Sequence, residues 1–403
     1  MKQLGRNFIW NSVGNTAYNG LQWLITVMTA RKAGLDTAGV LAYAMTVSLA
    51  FRTIATYGIR DFQASDHKNK YSSADYMGFR IITCFAALAL CVLFLMLNGI
   101  SGAQAEAVFL YMLFRVSEGF SDLFQGIMQK NDRLDRAGIS LTVKAVITTA
   151  AFAAGFFAAG LITGLRLMSL SALAVTFLFE LPYAGRISGE GIGVSMKRCR
   201  SLAGEAAALL IYLAEASVMF NAPQYILSVF YDKQSLGAYS AVFSLALIIR
   251  AAFQYMYTPF ITELSKLNAS DDPDGFRRIA VKLVSGFAVL SAAFSVIAAF
   301  LGVPVLRVVY GEEILQFKQL IIPAVAAVCV YSLTTFACTV EIIKRHLKIL
   351  IISHTAGALV CISAVCLFIR LFGMNGASYG FMLASAVALS MVAASAVFGK
   401  RFD

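Results

Sequence analysis

The chain has 403 residues, of which 59% are hydrophobic and 14% charged, and its 33 Lys and Arg against 22 Asp and Glu give a formal charge of +11. A soluble globular domain is roughly 45–50% apolar and about 25% charged. With a mean hydropathy of +0.74, this composition excludes a cytosolic enzyme, a disulfide-stapled secreted scaffold and a disordered chain. What remains is a polytopic membrane protein.

A helix needs roughly 20 apolar residues to cross the hydrocarbon core. Lipid offers no partner to open backbone groups, so each crossing must be helical. Twelve spans are predicted, over 7–30, 36–59, 75–98, 105–128, 138–160, 167–185, 201–229, 237–262, 278–303, 317–342, 349–371 and 376–398. The first runs past Thr29, lacks a small-x-small cleavage site and carries Asn11, Asn15, Asn19 and Gln22, so it reads as a retained span and not a signal peptide. Separators are turn-like, such as Gly34-Leu35-Asp36, Asn98-Gly99-Ile100-Ser101-Gly102 and Gly373-Met374-Asn375-Gly376. No soluble domain is inserted.

With the N-terminus inside, twenty Lys and Arg fall in inner segments or at the span ends facing them, seven in outer loops or at the span ends facing them, and six deeper within spans. That bias places both termini in the cytoplasm. The basic balance is therefore a matter of orientation; no basic run with interleaved aromatics points to nucleic acid. The seven Cys (Cys84, Cys91, Cys199, Cys329, Cys338, Cys361, Cys366) form no C-x-x-C, and with only His67, His346 and His354 beside them no metal site or cofactor is expected.

A weak internal repeat divides the chain. Gly39 precedes Arg52 by thirteen residues in the second span, as Gly237 precedes Arg250 in the eighth, with Tyr43 and Tyr239 close by. The spans before them carry Asn15 and Gln22, and Asn221 and Gln224. The expectation is an all-α membrane protein with two pseudo-symmetric six-helix lobes, 1–200 and 201–403, related by an axis along the membrane normal.

Polar residues inside spans carry the functional signal, because each buried charge needs a partner or a wet cavity. Arg80, Lys144 and Lys282 lie within about two turns of the inner face and are expected to snorkel to it. Arg52 is deeper, and Arg115 and Arg250 are near the midplane. In the fourth span Arg115, Glu118, Asp122, Gln125 and Gln129 share one helical face. Asn11, Asn15, Tyr18, Gln22 and Thr26 stripe the first span; Glu215, Asn221, Gln224, Tyr225 and Ser228 give the seventh a polar side. Polar glue between helices is one reading; a cavity wall contributed by both halves is the other. Guanidinium groups of Arg52, Arg115 and Arg250 suit phosphate oxygens, and Asn15, Gln22, Asn221 and Gln224 suit sugar hydroxyls. Glu118, Asp122 and Glu215 serve either as ion-coupling groups or as counter-charges. No G-x-S-x-G, P-loop or H-E-x-x-H is present, and Asp272-Pro273-Asp274, Asp132 and Asp135 read as loop acids, so no catalytic residue is assigned.

Several stretches resemble one family. Tyr57-Gly58-Ile59-Arg60-Asp61-Phe62-Gln63-Ala64-Ser65-Asp66, Tyr71-Ser72 and Asp75-Tyr76 through Arg80 are similar to the second-to-third-span region of bacterial polysaccharide flippases. So is the run from Arg115 and Glu118 through Asp122, Gln125-Gly126 and Gln129 to Arg133, Asp135, Gly138 and Ser140. In the second half Asn221-Ala222-Pro223-Gln224-Tyr225, Gly237-Ala238-Tyr239, Thr258-Pro259-Phe260 and Val309-Tyr310-Gly311 look like the family's corresponding positions. The resemblance is to the Wzx-type branch of the multidrug/oligosaccharidyl-lipid/polysaccharide exporter superfamily. It implies a MATE-like fold, a central cationic cavity and transport of a polyprenyl-diphosphate-linked oligosaccharide across the bacterial cytoplasmic membrane by alternating access. The partners it implies are that lipid-linked oligosaccharide, the bilayer, a proton or sodium ion, and polysaccharide assembly proteins. The further C-terminal spans of the lipid II flippase branch are not expected here. A cation-coupled multidrug exporter of the same fold and a non-transporting partner of glycan synthesis are the alternatives.

Overall fold

The first helix, α1 (Lys2–Thr56), has 55 residues. At 1.5 Å per residue it would be about 80 Å long, more than twice the ~30 Å hydrocarbon core. It breaks at Gly34, whose φ of 80° and ψ of 175° leave the helical region. Glycine alone takes that φ without a Cβ penalty, so the expected separator turns one hydrogen-bonded run into two crossings. The structure is a computed structural model and describes residues 2–60, 63, 70–131, 133–189, 195–257, 260–344 and 346–398. Asp61, Phe62, Ala64, Ser65, Asp66, His67, Asp132, Thr258 and Pro259, named above, lie outside them.

After α1 come α2 (Ser73–Leu97), α3 (Gly102–Lys130), α4 (Leu134–Ala159) and α5 (Leu161–Val175). A π-helical turn (Thr176–Glu180) joins α5 to α6 (Leu181–Ser188). Next are α7 (Met196–Phe230), α8 (Lys233–Tyr257), α9 (Ile261–Ala269), α10 (Pro273–Tyr310), a 3-10 helix (Glu313–Leu320), α11 (Ile321–Ile343), α12 (Leu347–Phe372) and α13 (Asn375–Phe398). Among the described residues nine helical runs are long and apolar enough to cross a membrane. The first of these supplies two crossings. The α7 pair, Met196–Ala207 and Leu210–Phe230, bent by 57°, supplies another. α3 is long enough but too charged to count among the nine, and completes the twelve expected spans. The protein is an all-helical, multi-pass membrane protein.

Local chemistry accounts for the ends. Ser72 and Asp75 form a capping box that starts α2. Asp232 accepts the Ser235 backbone amide at 2.9 Å at the start of α8, and the Ser235 hydroxyl and amide hold its carboxyl below the usual carboxylate range.

The helices form two compact units, Met1–Ser217 and Val218–Asp403. In the first, α1 and α4 cross with almost no side chain between them: a Cβ on Gly138 would lie 2.0 Å from the Trp10 carbonyl oxygen, and one on Gly14 2.4 Å from that of Gly138. Small residues let helices approach closely in lipid, where packing and polar contacts drive association. In the second unit, Phe220, Phe243, Tyr331 and Phe381 make a cluster of rings with centroids 5.0–6.1 Å apart. Phe253 stacks on Phe287 at 4.7 Å. The first unit carries ion-paired clusters within its spans, and the second carries this packed cluster of rings.

The α1–α4 crossing predicts that Gly138→Ala forces the helices apart and costs about 1–3 kcal/mol. Gly185→Ala, with nothing within 4 Å of the added Cβ, is the matched control. Thermal unfolding of both purified variants in detergent checks this: a lowered midpoint for Gly138→Ala alone is expected.

Candidate functional site

The polar stripe of α3 organises the first unit. Near its middle, Arg115 reaches Glu118 one turn on, with Nη1 to Oε2 at 2.6 Å. Arg52 brings its Nε to 3.3 Å from the same oxygen, close enough for an ion pair but outside hydrogen-bonding geometry, and its buried Nε has no hydrogen-bond partner. Tyr18 donates its hydroxyl to the other Glu118 oxygen. The Arg115 guanidinium also lies 5.1 Å from the centre of the Tyr111 ring, and Tyr111 donates to Gln22 Oε1 at 3.4 Å. Two guanidinium groups thus share one carboxylate, which leaves a net positive charge. Arg52 is the accessible member, its side chain 37% exposed against 12% for Arg115 and 10% for Glu118.

Two turns along α3 a second cluster repeats the arithmetic. Asp122 pairs with Arg80 at 3.0 Å and with Arg60 at 3.8 Å. Arg60 also donates to Gln125 at 3.0 Å and to Gln129 at 3.2 Å. Arg60, which its position in the sequence does not single out as a site residue, completes the α3 stripe from the end of the second crossing.

The snorkelling expectation is corrected for two of the three residues, Arg80 and Lys144. Lys282 is exposed. Arg80 is wholly buried and donates to the Ala55 carbonyl at 2.5 Å as well as to Asp122. Lys144 is likewise wholly buried; its ammonium donates to Ser117 O at 3.1 Å, Ser121 Oγ at 2.5 Å and Thr176 Oγ1 at 2.7 Å. Glu180, at the π turn, is 3.9 Å away and accepts from Ser121 and from Ser140, the latter at 2.7 Å. A fixed set of oxygens inside the unit replaces the water that snorkelling would have sought. Ser140, Lys144 and Thr148 recur every four residues, a signal of an inward polar face that position along the span does not carry.

The remaining predicted residues are scattered. Asn15 is exposed and bonds its own helix, its amide donating to Asn11 O at 2.7 Å. Gln22 is half-buried beside Tyr111, and its amide nitrogen is buried without a partner. On α7, Glu215 and Gln224 are half-buried and Asn221 is buried. Among the described residues no three His, Cys, Asp or Glu stand where they could hold a metal ion.

The second unit holds its cation differently. Arg250, half-buried on α8, lies between two rings, 5.2 Å from the centre of Phe220 and 5.3 Å from that of Tyr331. Among the described residues no carboxylate comes within 4 Å of it. Beside it is a cleft lined by Arg250, Phe253, Gln254, Tyr257, Ser332 and Thr335. The four α8 residues follow i, i+3, i+4, i+7 spacing and so share one face. Of the four, only Arg250 stands out in the sequence, as a charge within a span.

With this geometry in hand, comparison with known proteins places the chain. A family model described as "Polysaccharide biosynthesis protein" matches residues 4–265. The chain belongs to the polysaccharide biosynthesis protein family. It is 21% identical over 316 residues to the capsular polysaccharide biosynthesis protein CapF of Staphylococcus aureus, covering 76% of this chain and 78% of CapF. In fold it is similar to the lipid II flippase MurJ in an inward closed conformation, with a TM-score of 0.74, 14% identity, and 96% of this chain and 87% of that one covered. It is similar also to an inward-facing multidrug resistance transporter of the MATE family and MOP superfamily, with a TM-score of 0.73, 11% identity, and 98% and 96% covered. At such identities the solved structures establish a shared fold.

The Lys144–Glu180 contact predicts a non-additive pair. Lys144→Met alone strands a buried carboxylate, and breaking such a pair costs about 3–5 kcal/mol. Adding Glu180→Gln removes the stranded charge and recovers at least half of the lost thermal stability in detergent. Additive losses would show that the two side chains are not coupled.

Proposed function

We propose that this protein is a non-enzymatic flippase that moves a polyprenyl-diphosphate-linked oligosaccharide across the bacterial cytoplasmic membrane by alternating access, to supply a surface polysaccharide. Its membership in the polysaccharide biosynthesis family and its similarity to CapF, whose name records capsular polysaccharide biosynthesis, support the pathway. The observation that carries the cargo is Arg250. A guanidinium in a membrane interior is costly without an opposite charge. Two aromatic faces stabilise it by about 1–2 kcal/mol each at best, and the charge they leave uncompensated suits the oxygens of a diphosphate. The surplus of positive charge around Glu118 and around Asp122 points the same way. It disfavours a cationic drug as cargo, which would need carboxylates not already matched by arginines.

In this mechanism Arg250 binds the diphosphate while the polyprenyl chain stays in lipid, and the accessible Arg52 is the anion-binding group of the first unit. Arg115 acts through Glu118, holding that carboxylate against Arg52. Diphosphate oxygens and Glu118 compete for Arg52, so release follows when Glu118 regains it. Glu118, and with it Asp122 and Glu215, are the proposed points at which a proton or sodium ion couples to the cycle. Both termini are taken to face the cytoplasm, in line with the distribution of Lys and Arg.

A strain lacking the gene tests this. Wild-type protein restores surface polymer and clears accumulated lipid-linked oligosaccharide. Arg250→Ala and Arg115→Ala, present at wild-type levels in the membrane, restore less than about a tenth of the polymer, the equivalent of about 1.4 kcal/mol or more. Lys282→Ala restores it fully. Full restoration by both arginine variants would overturn the assignment. Unchanged glycans with new sensitivity to cationic drugs would favour the exporter.

A further inference from the structure

The transport mechanism makes no use of Lys144 and Glu180, whose side chains are each 1% exposed. An ammonium has three hydrogens to give. Lys144, on α4, gives them to Ser117 O and Ser121 Oγ of α3 and to Thr176 Oγ1 of the π turn, at 3.1, 2.5 and 2.7 Å. Each of these oxygens is set as an acceptor by something other than the lysine. Ser117 O is a backbone carbonyl. Ser121 gives its hydroxyl hydrogen to Glu180, and Thr176 gives its own to Ala172 O at 2.8 Å. Ser140 donates to the other Glu180 oxygen at 2.7 Å. In the π turn the Leu181 amide bonds Thr176 O, and Thr176 and Glu180 both reach Ser121. Turns of this kind inside α-helices are frequent at functional sites.

We infer that these oxygens form a site for one monovalent cation of the sodium or potassium class, and that the Lys144 ammonium is its built-in occupant. The ligands are a carbonyl and two hydroxyls, with the Glu180 carboxylate 3.9 Å from the ammonium and joined to it through Ser121. Oxygen sets of this kind suit hard cations, where sulfur and imidazole would suit transition metals. Charge selects the valence. One carboxylate balances one positive charge, and a divalent ion would leave a buried surplus, which is costly. An ammonium resembles a potassium ion in charge and size, so the same oxygens hold either. The tether has a consequence for coupling. A free ion exchanges with the water on either side; an ammonium on α4 does not leave. It ties α3, α4 and the π turn together in every state of the cycle, and the interior of the first unit needs no bound metal ion. Glu118 and Asp122 differ, with side chains 10% and 20% exposed. An exchangeable proton or ion reaches them and not Glu180.

The test is cation rescue of the full-length protein in detergent. Thermal midpoints are measured in sodium, potassium and choline chloride at one ionic strength. Lys144→Ala empties the site and lowers the midpoint in choline. Sodium or potassium then restores at least half of the loss and does so saturably, because a ligand that binds the folded state stabilises it. Wild-type protein responds by less than a quarter of that shift. Lys144→Met, whose side chain fills the space without a charge, is destabilised and not rescued. Lys144→Ala combined with Glu180→Gln has no charge left to balance and is not rescued either. Should Lys144→Ala aggregate in choline, its yield of folded protein after extraction in potassium against choline gives the same reading. A midpoint and a yield that no alkali cation changes would overturn the site. So would an equal response from wild-type protein, from Lys144→Met or from the double variant, since each marks a general effect of salt. None of these outcomes bears on the cargo, which the arginine variants test separately.

Discussion

A cation buried in a membrane must be given an opposite charge or a polarisable face, and this constraint organises the structure. Desolvating a guanidinium or ammonium is too costly to leave uncompensated. The first unit meets the requirement internally: Glu118 serves Arg52 and Arg115, Asp122 serves Arg60 and Arg80, and Glu180 lies near Lys144 across the Ser121 hydroxyl. The second meets it only in part, holding Arg250 between Phe220 and Tyr331. One unit leaves a cation short of a counter-charge and the other holds two clusters with surplus positive charge; each is suited to an anion that comes and goes.

The comparison of Arg52 with Arg250 sharpens this point. Each follows a glycine by thirteen residues and each sits in a helix with a buried tyrosine near its start, Tyr43 in one and Tyr239 in the other. Their surroundings are unlike. Arg52 competes with Arg115 for a carboxylate on α3, whereas Arg250 faces rings and hydroxyl oxygens. If the two segments share an origin, the first unit has specialised in ion pairing and the second in aromatic packing. An anion held at Arg52 must displace Glu118; one held at Arg250 displaces nothing charged. The two cations therefore differ in role even where their sequence settings match.

Much of the architecture was legible from hydropathy alone. Twelve spans, the break at Gly34 and the polar stripe of α3 follow from span length, turn residues and helical spacing. Depth was legible too, since position along a span is a distance along the membrane normal. Direction around the helix was not. Arg80 and Lys144 lie where snorkelling is possible, yet both turn inward, where the Ala55 carbonyl and the hydroxyl oxygens of Ser121 and Thr176 accept their hydrogens. Those partners come from other helices, and no single span records them. The same reason hid the cleft: Gln254 and Tyr257 could have been read from the spacing that follows Arg250, but Ser332 and Thr335 arrive from α11 by packing. Arg115 shows the converse, since its partner Glu118 is one turn away on the same helix and the pair was visible in the sequence.

The most direct measurement is transport itself. Purified protein is reconstituted into liposomes with lipid-linked oligosaccharide in the inner and outer leaflets, and the fraction of sugar accessible from outside is followed over time with an impermeant oxidant or lectin. The account predicts fast equilibration between leaflets for wild-type protein and for Lys282→Ala, and none above protein-free liposomes for Arg250→Ala. Equal rates for wild type and Arg250→Ala would contradict the claim that an unpaired cation in the second unit carries the anionic cargo.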